Sequence, residues 1–140
     1  RVVGFIDIVS PGNNRMLYEL KRFLNNLDDA LERGIHLLVV DVHPPGKHDP
    51  RGVHAAFWEM RSSESHGVSF EQPLGLSAYR ADVTPIAYFE PLAAGNSLPD
   101  MPIFLTPDYY VNLPLETTYL ESWQGVPARW KRVLEGQNGD

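Results

Sequence analysis

Cysteine is absent from this 140-residue chain, which removes disulfides, thiolate nucleophiles and thiolate metal ligands together. That absence fits a reducing compartment. No apolar run approaches the roughly 18 residues that a membrane-spanning helix needs. Nor does a basic segment followed by an apolar one open the chain as a signal peptide would. A cytoplasmic protein with no membrane partner is the expectation. Three motifs that carry chemistry are missing as well: the Gly-x-Ser-x-Gly nucleophile elbow, the Gly-Lys-Ser/Thr ending of a Walker A loop, and the G-x-G-x-x-G of dinucleotide binders. Clustered cations are scarce. The formal net charge is −6, and the one compact basic group is Arg129, Lys131 and Arg132. Nonspecific nucleic-acid affinity draws on counterion release by clustered Lys and Arg, so the charge does not support a nucleic-acid partner.

What is present is a globular composition, 43% apolar and 21% charged, long enough for one core without metal or disulfide staples. Residues 1–9, RVVGFIDIV, are β-branched and nearly continuously apolar, as in a strand covered on both faces. Ser10-Pro11-Gly12-Asn13-Asn14 is turn chemistry, with Asn13 or Asn14 able to cap a helix. Over 15–33, Met16, Leu17, Leu20, Phe23, Leu24, Leu27, Ala30 and Leu31 recur at helical spacing, and Gly34 suits the left-handed position that ends a helix. Residues 35–42, IHLLVVDV, form a second buried-type strand. Strand, helix and strand with short joints predict a βαβ unit with parallel strands. The expected fold class is therefore α/β.

Beyond it, 43–52 with three prolines is irregular, 53–60 is a short helix, and 61–73 is a loop. Residues 74–81 and 85–92 make an antiparallel pair, completing a mixed sheet. Ile103-Phe104-Leu105 is a short strand, and two C-terminal helices begin at Pro114 and Pro127. The first of these sets Leu115, Tyr119, Leu120 and Trp123 on one face. A single domain over 1–135 and a flexible tail over 136–140 are expected.

Asp7 and Asp41 lie in the two parallel strands, near the C-terminal edge where open α/β sheets bind ligands. Each either accepts backbone N–H bonds from a loop or shares a polar site suited to Mg²⁺. Ser10 and Asn14 sit in the joint before the first helix, where backbone N–H groups can hold an anion; an ordinary turn explains them equally. His43, His48, Asp49 and His54 fall within twelve residues and offer imidazole and carboxylate donors for a transition metal such as zinc, although their spacing matches no standard site. His36 falls in a buried strand and reads as a hydrogen-bonded core residue.

The run VGFIDIVSPGNN, the helix, and HLLVVDV followed by Pro44-Pro45-Gly46 and Asp49-Pro50-Arg51-Gly52 resemble a bacterial family of domains of unknown function. The later stretch AYFEPLAAGNSLPDMPIFLTPDYYVNLPLETTY extends that resemblance over nearly the whole chain. The first half also resembles the restriction-endonuclease-like PD-(D/E)XK superfamily, in which an acid on a strand is followed by Ser-Pro, a crossover helix and a strand ending in Val-Asp. The resemblance implies that Asp7 corresponds to the metal-binding acid, with Mg²⁺ as cofactor. Val9 stands where the lysine belongs, and Lys21 on the next helix is the nearest replacement. The earlier catalytic aspartate would lie on strands before Arg1.

Three readings of function follow. The first is a binding or assembly module on a degenerate nuclease-like core. The second is a Mg²⁺-dependent nuclease using Asp7, Lys21 and an upstream acid. The third is a transition-metal-binding loop. The first strand adds one expectation: its apolar edge, with no lysine or proline before Pro11, calls for a cover. That cover is a second copy of the chain or a missing N-terminal segment.

Overall fold

The computed structural model describes residues 1–10, 16–62 and 66–136. A mixed sheet forms its centre, in the order β1 (Gly4–Ile8), β2 (His36–Asp41), β3 (Leu74–Arg80) and β4 (Ile86–Leu92). β1 runs parallel to β2, and the remaining neighbours are antiparallel. Helix α1 (Leu17–Glu32) links β1 to β2, so the βαβ unit forms as its periodicity predicts. The tyrosine and leucine-rich remainder supplies α2 (Val53–Trp58), a separate hairpin of β5 (Met101–Thr106) and β6 (Tyr109–Leu113), and helices α3 (Leu115–Gln124) and α4 (Ala128–Leu134). None of the helices among the described residues is long and apolar enough to cross a membrane.

Alternation along the strands sorts the core into two layers. Phe5, Val9, Leu37, Val39 and Tyr79 face α1 and α2, meeting Leu20, Phe23, Leu24, Leu27, Leu31, Val53 and Phe57. Leu38, Leu76, Ala78 and Leu92 face the other way and pack on Met101, Ile103, Leu113 and Leu115. Helix α1 ends where Gly34 takes φ 76°. Its N–H donates to Leu31 O at 3.0 Å and the Ile35 N–H to Ala30 O at 2.9 Å, the paired bonds of a Schellman motif. The guanidinium of Arg61, just after α2, bonds Asp28 and, at 2.8 Å, Glu32, tying that end to α1.

Several expectations shift. The helical stripe starts later than read, because Met16 and Leu17 are exposed. Asn13 and Asn14, the expected caps, and residues 137–140 of the expected tail lie outside the described residues. A strand at Tyr109–Leu113 was not anticipated; it pairs back on β5 across Pro107 and Asp108. Pro114 and Pro127 sit at the N-cap, one position ahead of the helical start assigned to them. No residue of α3 or α4 is fully buried, and Tyr119, Leu120 and Trp130 are each about half exposed. Among the described residues, Leu115 is the one member of α3 that packs against the core clusters.

Candidate functional site

Asp41 closes β2 and is buried on the helix-facing side of the sheet. Its carboxylate accepts the Val53 N–H at 3.4 Å, at the start of α2, and the His43 N–H at 3.5 Å. It therefore fastens the loop between β2 and α2, the simpler of the two roles open to it in the sequence. Asp49 holds the same loop from inside, accepting the Gly46 N–H at 2.7 Å. Burial pushes the Asp41 carboxyl up to about 6, and Asp49 adds to this while the two long N–H contacts oppose it.

His54, on the first turn of α2, is buried. Its Nδ1 lies 2.7 Å from the Tyr79 hydroxyl on β3. Its ring stacks on Phe89 with centroids 4.6 Å apart and lies 6.0 Å from Trp58. Burial pulls the imidazole down to about 4, so it is neutral at pH 7. Tyr79 also bonds the Ser77 hydroxyl two residues earlier, and burial pushes its phenol far up. Ser77 donating to the phenol oxygen leaves Tyr79 to donate to Nδ1, with the imidazole proton on Nε2. Asp41, Ser77, Tyr79 and His54 thus share one buried layer beneath α2.

That layer does not read as a reaction centre. Ser77 is 3% exposed and Tyr79 1% exposed, so neither oxygen reaches a substrate. Only His54 lines an open cavity of about 480 Å³, beside Trp58, His66 and Phe89. The layer satisfies buried polar groups and seats α2 on the sheet. The signal for it was present but subtle: Ser77 and Tyr79 alternate against Leu76 and Ala78, and His54 interrupts an otherwise apolar hexapeptide, VHAAFW.

The remaining candidates are scattered. Asp7 shares the sheet face of Asp41, but its register partner is Val39, two residues short of Asp41. It is half-buried, and desolvation raises its pKa. Lys21 is exposed on α1, and no ion pair within 4.0 Å joins it to Asp7 among the described residues. Ser10 is exposed, and Asn14 lies outside the described residues. His43 and His48 are half-buried in the loop, while His54 turns inward to Tyr79, so the four members of the histidine set are not gathered. No group of three or more His, Asp or Glu among the described residues is placed to hold a metal ion. His36, as expected, is a core residue: its Nδ1 accepts the Ala81 N–H at 2.9 Å, and burial lowers its pKa.

A wider opening lies on the opposite sheet face, and no sequence pattern pointed to it. It is a groove of about 700 Å³ running from the β1 edge to α3. Ile6, Ile8, Val40 and Val42 form its floor, Leu92 and Leu98 one wall, and Leu115 and Tyr119 the other. Glu116 also lines it, its carboxylate accepting the Leu98 N–H at 2.7 Å. The floor continues into the open edge of β1, where Ile6 is 50% and Ile8 66% exposed. Comparison of the chain with protein-family models, with curated proteins and with solved structures finds no match.

Proposed function

We propose that the chain is a binding and assembly module, built on a degenerate core of the restriction-endonuclease-like kind, and that it works by adding a strand at β1. The observation that carries this is the state of the two sheet edges. At β4 the ladder ends on a strand containing Pro91, which removes one backbone donor. The residues of β1, GFIDI, include no proline. Val3 O accepts the His36 N–H and Val9 N donates to Val40 O, each at 2.9 Å. A parallel ladder alternates, so Phe5 and Asp7 also bond toward β2, while Gly4, Ile6 and Ile8 turn their N–H and C=O groups outward. The same three residues send their side-chain positions toward the groove face. A strand laid along β1 gains main-chain hydrogen bonds and an apolar bed for alternate side chains, the two ingredients of β-augmentation.

The degenerate-core part of the reading rests on the β1–α1–β2 unit with Asp7 near the end of β1, and on Lys21 standing exposed with no ion pair to that acid. Hydrogen exchange tests the strand-addition reading. The Gly4, Ile6 and Ile8 amides should be protected in solution as strongly as those of Phe5 and Asp7. Exchange of the first set at free-peptide rates, with the second set protected, would refute it.

A further inference from the structure

The β1 edge has a self-complementary register, and we infer that its partner is β1 of a second copy, antiparallel about a two-fold axis at Gly4, with Arg1 of each chain opposite Asp7 of the other. This deepens the strand-addition reading and rests on it. Outward-facing N–H and C=O groups on the even-numbered residues restrict the pairing. In an antiparallel ladder two residues that exchange both hydrogen bonds stand opposite each other, so even residues must face even residues. Centring the axis on Gly4 puts Gly4 opposite Gly4 and Val2 opposite Ile6 as hydrogen-bonded pairs. Between them fall two kinds of close pair, Val3 opposite Phe5 and Arg1 opposite Asp7.

Every pair in that register matches in kind. Val2 is 63% exposed and Ile6 50%, so two open β-branched side chains cover one another on the groove face. Val3 and Phe5 pair on the helix face, where Phe5 already packs against the core. Gly4 sits tightly: a Cβ there would stand 3.2 Å from both His36 O and Phe104 O, closer than side chains ordinarily come. Placing glycine on the axis puts the position without a side chain where the two backbones meet. Asp7 is a half-buried acid whose carboxylate has no hydrogen bond or ion pair within its own chain among the described residues. Arg1, exposed and likewise without a salt bridge, supplies the opposite charge twice across the axis.

Neighbouring registers lose this match. Centring on Phe5 sets Val3 against Asp7 and Gly4 against Ile6. Centring on Ile6 sets Phe5 against Asp7 and Gly4 against Ile8. Both leave the carboxylate facing an apolar side chain, which is costly at a half-buried site.

The absence of cysteine makes the test direct, since no native thiol competes. Val3→Cys and Phe5→Cys are made separately, mixed and oxidised. Val3 and Phe5 of the partner form a non-hydrogen-bonded pair with Cα atoms about 4.5 Å apart, within the range a disulfide spans. The expected product is the mixed Val3→Cys/Phe5→Cys dimer, with little of either homodimer. A predominant Phe5→Cys homodimer would place the axis on Phe5 and overturn the register. Light scattering covers the case in which Phe5→Cys fails to fold. Asp7→Arg and Arg1→Asp should each weaken the dimer on the order of tenfold, and the double exchange should restore it. Failure of the double exchange to restore it, with native circular dichroism, overturns the Arg1–Asp7 pairing. A monomer at high micromolar concentration whose Gly4, Ile6 and Ile8 amides stay protected overturns the second copy and leaves strand addition by another segment. A monomer with those amides unprotected overturns both.

Discussion

Asp41 and His54 should push the stability of this protein in opposite directions over the same pH window, and replacing either one should expose the other. Asp41 is raised from 3.8 to about 6 by burial. Between those values the unfolded chain has released its proton and the folded chain has kept it, so stability falls as pH rises. The gap corresponds to about 3 kcal/mol, fully felt above pH 6. His54 is lowered from 6.5 to about 4, so between those values the unfolded chain binds the proton and the folded chain does not. Stability then rises with pH, again by about 3 kcal/mol, and is lost as pH falls toward 4. The two slopes nearly cancel in the native protein. Asp41→Asn keeps a carbonyl oxygen for the Val53 and His43 N–H groups and removes the ionisation. Relative to the native chain, it should gain on the order of 3 kcal/mol between pH 4 and pH 6.5. His54→Gln should lose a similar amount over that interval. Urea unfolding at half-unit pH steps measures both differences, and contributions from His36 and Asp7 drop out of each comparison. Two difference curves of the same sign, or an Asp41→Asn curve that stays flat, would refute the assignment of these groups as buried and opposed.

Packing and metal binding supply the other tests. Leu24→Ala, in the buried stripe of α1, should destabilise by about 2–5 kcal/mol in denaturant unfolding. A loss below about 0.5 kcal/mol would remove Leu24 from the core. Calorimetric titration should show no tight Mg²⁺ or Mn²⁺ binding, and Asp7→Asn should change nothing. Zinc should likewise bind only weakly, with no difference in His48→Ala. Tight binding abolished by either substitution would revive the nuclease or the histidine-loop reading respectively.

The first half of the fold is legible in the sequence because its signals are local. Leu20, Phe23, Leu24, Leu27 and Leu31 repeat with the helical period, Gly34 marks the stop, and continuous β-branched runs on either side announce buried strands. The β3–β4 pair is legible for the same reason. Other features depend on partners that no local pattern names. The aromatic and β-branched run YYVNL after Pro107-Asp108 is a hairpin signal, but it competes with prolines on both sides. The periodic faces of α3 and α4 state that something apolar lies opposite without stating what; in the described structure Leu115 packs on the core and Trp123 is half-buried, while Tyr119, Leu120, Trp130, Val133 and Leu134 stay about half exposed or more. The same limit applies to the site. Asp41 could be read as a sheet-edge acid, and its loop-fastening role was one of the two open readings. His54 and Tyr79 are 25 residues apart, and only the packing of α2 on β3 makes them neighbours. The groove joins β1, β2, β3, β4, the following loop and α3, so no single stretch of sequence displays it.

The two sheet edges, taken together, determine what kind of assembly this chain can enter. A sheet with two open edges adds chains without limit, because each new copy presents a fresh strand. Here β4 carries Pro91 at one edge, while β1 presents the outward-facing groups of Gly4, Ile6 and Ile8 at the other. Pairing of β1 with β1 is isologous, so it consumes that open edge in both copies and leaves the joined four-stranded sheets with only their two β4 edges outside. Growth stops at two, and the apolar side chains that would otherwise favour aggregation are the ones that the pairing covers. Removing the guard at β4 should convert a closed association into an open one. Pro91→Val restores the missing donor beside Gly75, whose register partner it is. The variant should therefore show concentration-dependent species beyond the dimer in light scattering, and Ile6→Lys in the same chain should reduce them to monomer and dimer. A Pro91→Val chain that remains strictly dimeric would show that the β4 edge is closed by something other than its proline.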